Sequence, residues 1–481
     1  MNAILCVALL VGLVWSGVVF LRGGLLGGCL MVLLAGCCFG HAFYRLDLGP
    51  VPITLDRILW AALLVQYVVW RRQGLVGGKP LGVAEWVLLA FVAVLALSTF
   101  AHDWHVRDHQ PLARLAFYYL MPVALYWVAR QIPLDDRGAR VVLGGLALFA
   151  LYLAVTALAE TREAWWLVYP KYVASTAQTD FLGRARGPLL NPVGSGLLEG
   201  VGLCCLLAWW PRTGRAGRLA IVAGAVVVVL GIYCTLTRTA WIGAGVGLAV
   251  FLAFVLPRAW RGPAMACLVL AAVVVGTTQW ERILAFQRDR GVGARASAES
   301  VELRPVLAAA AWKMFRDRPL LGHGLAQYDS RKFDYVNDRT STARLDRARP
   351  YTQHNVFLSL LVETGLIGAG LFVILLMLWT RDAWRAWRSD ATPPWARSIC
   401  VLLFVVLGNY LVNGMFHDVS LIPMVNMFLF FVAGIAAGLR LPSATTREAT
   451  ALEDRSPVDA VIVPTDRTEC PAPQAVGTPG D

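Results

Sequence analysis

Residues 218–256 read RLAIVAGAVVVVLGIYCTLTRTAWIGAGVGLAVFLAFVL. Two apolar runs, 218–236 and 238–256, are separated by little more than Thr237-Arg238. Each approaches the about 20 apolar residues that cross a bilayer as a helix. The pattern recurs at 2–20, 24–43, 53–70, 84–101, 112–130, 139–159, 189–210, 263–279, 355–379, 397–416 and 420–438, giving thirteen candidate spans. The composition agrees. The chain is 58% hydrophobic and 15% charged, where a soluble domain is about 25% charged. Mean hydropathy is +0.60, too apolar for a soluble core to hide. These features predict an all-α polytopic membrane protein of 12–13 transmembrane helices, with a membrane domain over 1–440.

Charge sets the expected orientation. One set of alternate short loops carries Arg22, Arg71, Arg72, Lys79, Arg130, Arg137, Arg140, Arg212, Arg215, Arg218, Arg258, Arg261, Arg381, Arg385, Arg388 and Arg397. The other short loops carry far fewer basic residues, such as Arg45, Arg107 and Arg238. Positive-inside logic places the first set in the cytoplasm. The C-terminus then lies inside and, with thirteen spans, the N-terminus outside. The net charge of +12 is thereby read as an orientation signal, with no nucleic acid as partner.

Two long connections, 160–188 and 280–354, fall on the extracytoplasmic side. The second holds fourteen basic and nine acidic residues. A net positive excess on that side is not wanted for topology, and it asks for an anionic partner such as phosphate. Helix-like stretches such as Val306–Phe315 predict that this loop is structured. The segment 441–481 contains six prolines and no apolar period, the composition of a disordered cytoplasmic tail. Nine of the ten cysteines lie in apolar segments and read as small buried hydrophobes. Met1-Asn2-Ala3 lacks the basic region of a cleavable signal peptide, so the first run is expected to be retained.

Several residues could carry chemistry. His354, in Gln353-His354-Asn355, ends the long loop and precedes the run Val356–Leu361. An imidazole there suits a general base toward a sugar hydroxyl, although an interfacial cap with Asn355 fits the same residues. Arg238 offers a planar fork of donors matched to phosphate oxygens, or else snorkels at a helix end. In Arg186-Gly187-Pro188-Leu189-Leu190-Asn191-Pro192, Asn191 and Pro192 fit the cap and first turn of a helix. Arg186 precedes that helix N-terminus, where an anion is favoured. Glu199 lies about two turns deeper; an acid inside a span is a functional candidate, or it pairs internally with one of these arginines. Arg304 opens a helix-like stretch that leads to Pro319-Leu320-Leu321-Gly322-His323-Gly324, a glycine-marked turn. His102, His105 and His109 have spacing that could ligate a metal, but a solvated loop accounts for them, and no metal site is assigned. Gly196 with Gly200, and Gly243 with Gly247, have the spacing of close helix packing.

Taken together, these motifs resemble the O-antigen ligase and O-antigen polymerase superfamily of bacterial membrane proteins. The resemblance runs from Pro52-Ile53-Thr54-Leu55 to the last span. It is carried by His354-Asn355-Val356-Phe357-Leu358 with Glu363-Thr364-Gly365-Leu366-Ile367-Gly368, by Arg186-Gly187-Pro188 with Asn191-Pro192, by Leu236-Thr237-Arg238, and by Arg304 followed by Asp317-Arg318-Pro319-Leu320-Leu321-Gly322. It departs at His323, where a small or apolar residue is more usual, and mildly at Thr237, where serine is frequent.

What the resemblance implies is a GT-C-like fold in the inner membrane and an active site at its extracytoplasmic face. The implied donor is an undecaprenyl-pyrophosphate-linked glycan. The implied acceptor is a lipid or glycan hydroxyl, such as lipid A-core or another repeat unit, and no cofactor is used. His354 becomes the base, Arg238 and Arg304 the pyrophosphate binders, and Arg186, Asn191, Asn355, Glu199 and His323 the candidate substrate-binding set. A transporter of a similar lipid is the alternative outside catalysis. Such proteins carry charge along a path near the midplane, whereas here the spans read as nearly free of charge apart from Glu199.

Overall fold

The computed structural model describes residues 3–40, 42–46, 52–104, 110–175, 181–278, 303–336 and 352–439. The expected tail over 441–481 lies outside these residues, as do 280–302 and 337–351 of the long loop. The described chain is helical. Its elements are α1 (Ala3–Cys38), α2 (Leu55–Arg72), α3 (Val83–Phe100), α4 (Pro111–Gln131), α5 (Asp136–Thr161), α6 (Pro192–Leu207), α7 (Arg215–Cys234), α8 (Arg238–Val255), α9 (Arg258–Thr278), α10 (Arg304–Asp317), α11 (Val356–Arg388), α12 (Pro394–Phe416) and α13 (Pro423–Ala437). Among the described residues there is no strand, and one isolated antiparallel bridge joins Leu46 to Ile53. In hydrocarbon every backbone N–H and C=O must be bonded within the protein, and a helix does this within a single segment.

Nine helices among the described residues are long and apolar enough to cross a membrane. The expected count was thirteen. The other expected segments are also helical, but α2 carries Asp56, Arg57, Arg71 and Arg72, and α13 has only 15 residues. The described parts of the expected runs 2–20 and 24–43 provide, as far as Cys38, the two legs of α1. They join at Gly24, whose φ of 62° breaks the helix. The turn is sharp enough that a Cβ on Gly27 would lie 2.9 Å from the Val19 carbonyl oxygen.

α6, α12 and α13 are the most buried spans and pack with α4, α5, α8 and α11, whereas α7 is largely exposed along its length. Small residues permit the close approaches. A Cβ on Gly196 would lie 2.6 Å from Ala240, and one on Gly200 would lie 2.9 Å from Ala244, so α6 and α8 meet nearly backbone to backbone.

The helix ends sort into two sets. At the arginine-rich end, Arg130 pairs with Glu85 at 3.2 Å, and Lys79 Nζ donates to the Ile132 and Gly438 carbonyls at 3.3 and 3.0 Å. Arg388 and Arg397 line a crevice there with Val255 and Pro394. The opposite end, the loop end, carries α10.

One break positions the loop. α11 is interrupted at Gly365 (φ 66°). A straight helix would bond Leu366 N to Val362 O and Ile367 N to Glu363 O. Instead the loop after α10 satisfies all four groups. Leu366 N donates to Pro319 O at 2.8 Å and Ile367 N to Leu320 O at 3.3 Å. In return His323 N donates to Val362 O and Gly324 N to Glu363 O, both at 2.9 Å. The two short motifs of the sequence, 319–324 and 363–368, are thus the two halves of one backbone contact.

Gly365→Ala should destabilise the protein. A Cβ there would lie 2.2 Å from Leu320 O, and a left-handed non-glycine residue alone costs about 1–3 kcal/mol. Thermal unfolding of the purified protein should show a clear fall in Tm. Gly370→Ala, where nothing lies within 4 Å, should leave Tm close to the native value.

Candidate active site

The loop end gathers the ionisable residues. Asn355 caps α11, accepting from Leu358 N at 2.9 Å, and its Nδ2 donates to Met415 O at 2.9 Å. That bond ties the start of α11 to the end of α12. His354 precedes the cap in a left-handed conformation, φ 51°, uncommon outside glycine and worth asking a functional reason for. Its ring meets the His417 ring edge-on, with centroids 6.2 Å apart.

The electrostatics of His354 are specific. Its pKa is pushed down to about 4, first by burial and then by the positive charge of Arg304 and of Lys332, while Asp418 and Asp329 pull the other way. The imidazole is therefore neutral at pH 7, the form a base needs. α10 supplies Arg304 at its first position, half-buried, and Arg304 Nε has no hydrogen-bond partner among the described residues. Lys332 is buried and its Nζ binds Asp329 at 2.7 Å.

A second layer lies behind. Arg114 Nη1 binds Glu363 at 2.8 Å, and its Nη2 donates to Ser359 Oγ at 3.2 Å and lies 3.8 Å from Asp418. Ser420 donates to Asp418 in turn. This network joins α4, α11 and the 417–422 turn between α12 and α13. Arg114 stands at the start of a π-helical turn, Leu115–Leu120, a local feature frequent at functional sites. The reading that the spans hold almost no charge apart from Glu199 is corrected here. Arg114 and Glu363 were legible as charges within the runs 112–130 and 355–379, and an ionisable residue inside a span is itself the signal. Asp418 and Lys332 had no such mark, because they lie in polar connections.

Helix packing places Arg238. α8 lies against α12 with Gly243 facing Asn409 and Asn413, and Gly247 facing Val405. Arg238 is five residues before Gly243, about 7.5 Å nearer the loop end, and His417 follows Asn413 by four residues. Gly414, in turn, faces Val356. Arg238 and His354 therefore flank the same end of α12.

The remaining candidates have other occupations. Arg186 is buried; its Nη2 donates to the Val173 and Ser175 carbonyls at 3.2 and 3.0 Å, and its Nε lies 3.6 Å from Glu160. The carboxylate of Glu160 also accepts from the backbone N–H groups of Arg186 and Gly187. Sequence reasoning offered Glu199 as the partner of these arginines. The structure corrects this: Glu199 is fully buried, both of its oxygens lack hydrogen-bond partners among the described residues, and it faces α7 at Gly231. Asn191 is the cap of α6, accepting from Val193 N and Gly194 N. His323 is buried with Nε2 2.8 Å from Met314 O, and burial lowers its pKa. These contacts anchor the turn that meets Gly365. His102 Nδ1 lies 2.9 Å from Ser98 O, while His105 and His109 fall outside the described residues. Among the described residues no three His, Cys, Asp or Glu side chains are grouped as metal ligands would be.

Fold and site together define a polytopic helical membrane protein with a charged, histidine-bearing cluster at one end. Comparison with family models identifies the kind: residues 223–373 match the O-antigen ligase family. That segment runs from α7 through α8, the long loop and the break in α11, and it contains Arg238, Arg304, His323, His354 and Glu363. This match supports membership of the O-antigen ligase/polymerase family. No curated protein matches it.

The Arg114 network should behave as a coupled unit. Glu363→Ala leaves a buried guanidinium without its main partner and should cost about 3–5 kcal/mol. The double variant Arg114→Met/Glu363→Met should cost less than the sum of the two single changes. A double-mutant cycle on thermal unfolding reads this coupling directly.

Proposed function

We propose that the chain transfers a glycan from undecaprenyl pyrophosphate to an acceptor hydroxyl, at the extracytoplasmic face of the inner membrane. The observation that carries this reading is His354: an imidazole kept neutral beside Arg304 and Lys332, within the segment matched to the O-antigen ligase family. The sidedness rests on charge. The arginine-rich loops suit the cytoplasm, so the loop end, with its cationic groups, is assigned to the opposite face.

In the proposed step the acceptor oxygen attacks the anomeric carbon as the bond from that carbon to the pyrophosphate oxygen breaks. The hydroxyl proton passes to His354. The electron pair of the broken bond stays with the pyrophosphate, whose growing charge is met by Arg304, Arg238 and Lys332. Preplaced donors aimed at developing charge are typically worth about 3–4 kcal/mol each. Asn355 and the Arg114–Glu363–Asp418 network hold the start of α11 and the 417–422 turn in place around the base.

Purified protein given a polyprenyl-pyrophosphate glycan and an acceptor should release free carrier and form the longer product. His354→Ala and Arg304→Ala should each lower turnover by about a hundredfold or more without loss of folded protein. Full activity in either variant would remove the mechanism. The pH profile gives a separate check. Protonation of His354 in the empty site removes the base only as pH falls through about 4, so the acid limb of kcat/KM for the donor should lie near pH 4. A limb near the ordinary histidine value of about 6.5 would contradict this environment for the imidazole.

A further inference from the structure

A cavity of about 660 Å³ opens at the loop end between α1, α2, α4 and the turn before α13. It falls within the usual range for small-molecule sites, about 300–1,000 Å³, and none of the residues assigned to catalysis lines it. Its lining includes the polar Thr54, Asp56 and Arg57 and the apolar Met121, Met424 and Met427. Thr54 is buried, and Thr54 Oγ1 and Asp56 Oδ1 have no hydrogen-bond partner among the described residues. Arg57 is occupied, with its guanidinium carbon 3.5 Å from the centroid of the Phe117 ring and an N–H donating to Pro52 O.

Those features select a chemistry. A buried oxygen without a partner costs free energy until something donates to it. A carboxylate and a hydroxyl that both line the cavity call for ligand O–H groups. Phosphate is disfavoured, because Asp56 offsets the charge of Arg57 and presents an anionic oxygen to the space. The aromatic rings of Tyr118 and Phe181 suit the C–H faces of a sugar ring, and the three methionines suit an apolar tail. The site also adjoins the proposed chemistry. The 417–422 turn carries Asp418 toward His354, while its Leu421 and Ile422 form part of the cavity wall.

We infer that this cavity binds the hydroxyl-bearing head of the glycolipid acceptor, leaving the diphosphate donor to the Arg304 side. The assignment rests on the transfer reading for the word acceptor, but not for the binding itself. The test uses the full chain in phosphatidylcholine nanodiscs, with labelled octyl glucoside and octyl phosphate as matched probes and empty nanodiscs as background. Octyl glucoside should bind saturably. Asp56→Ala and Thr54→Val should each weaken that binding about tenfold, the usual scale for a buried hydrogen bond of this kind. Ala42→Trp, which adds a large side chain at a lining position other than the polar pair, should abolish it. Octyl phosphate should neither saturate nor compete. With a working transfer assay, Asp56→Ala should raise the acceptor KM about tenfold and leave the donor KM unchanged. Native-like glucoside binding in all three variants, or equal competition by octyl phosphate, overturns the inference. Saturable binding that Ala42→Trp removes, in a chain with no transferase activity, supports the glycolipid site while removing the transfer reading.

Discussion

Four backbone groups around Gly365 constrain the rest of the loop end. Breaking α11 exposes two carbonyls and two N–H groups at the edge of the membrane domain, where an unsatisfied group costs several kcal/mol. They are satisfied by one stretch of chain, residues 319–324. α10 is fastened directly before that stretch, so its start is carried to the start of α11. Arg304 and His354 are therefore neighbours because a helix was broken ten residues after the cap of α11. The cost of the break is met by the loop that delivers the cation.

Buried arginines divide by what already holds them. Arg186 has two carbonyls and Glu160, and Arg114 has Glu363, Ser359 and Asp418. Such groups fix geometry, since a guanidinium with filled donors has little left to offer a ligand. Among the described residues Arg304 has no carboxylate partner and keeps a buried Nε without a hydrogen bond, whereas Arg114, whose Nε is likewise unbonded, is held through both of its Nη atoms. That difference cannot be read from residue type or spacing, because each of these arginines stands at or near a helix start in the sequence.

This is also where the sequence stopped being legible. The helices were readable from apolar period and length, and the fold class with them. The glycine pairs on α6 and α8 read as packing, and packing is what they do. His354, Asn355 and Arg238 were marked by their places at the borders of apolar runs, and Arg304 by the helix-like stretch it opens. Glu160, Lys332 and Asp418 were not, because a single acid or base in a polar connection looks like solvated surface until the turn that buries it is known. Glu199 misled for the opposite reason. It is isolated in an apolar run, but its position on α6 turns it toward α7 and away from the arginines.

The environment of His354 bears on the timing of the proposed reaction. Arg304 and Lys332 are among the groups that hold its pKa down, to about 4, and both are proposed to meet the pyrophosphate. An anion bound between them would cancel part of their repulsion of an imidazolium. The affinity of His354 for a proton would then rise toward the ordinary histidine range. A base is most effective when its pKa lies near the working pH, so the imidazole would become a better base once the donor is in place. In the empty site it is a weak base, poorly able to activate water or an acceptor that arrives alone. The same cations that bind the leaving group would thus set the order in which the base becomes competent, with no moving part beyond the charge of the substrate.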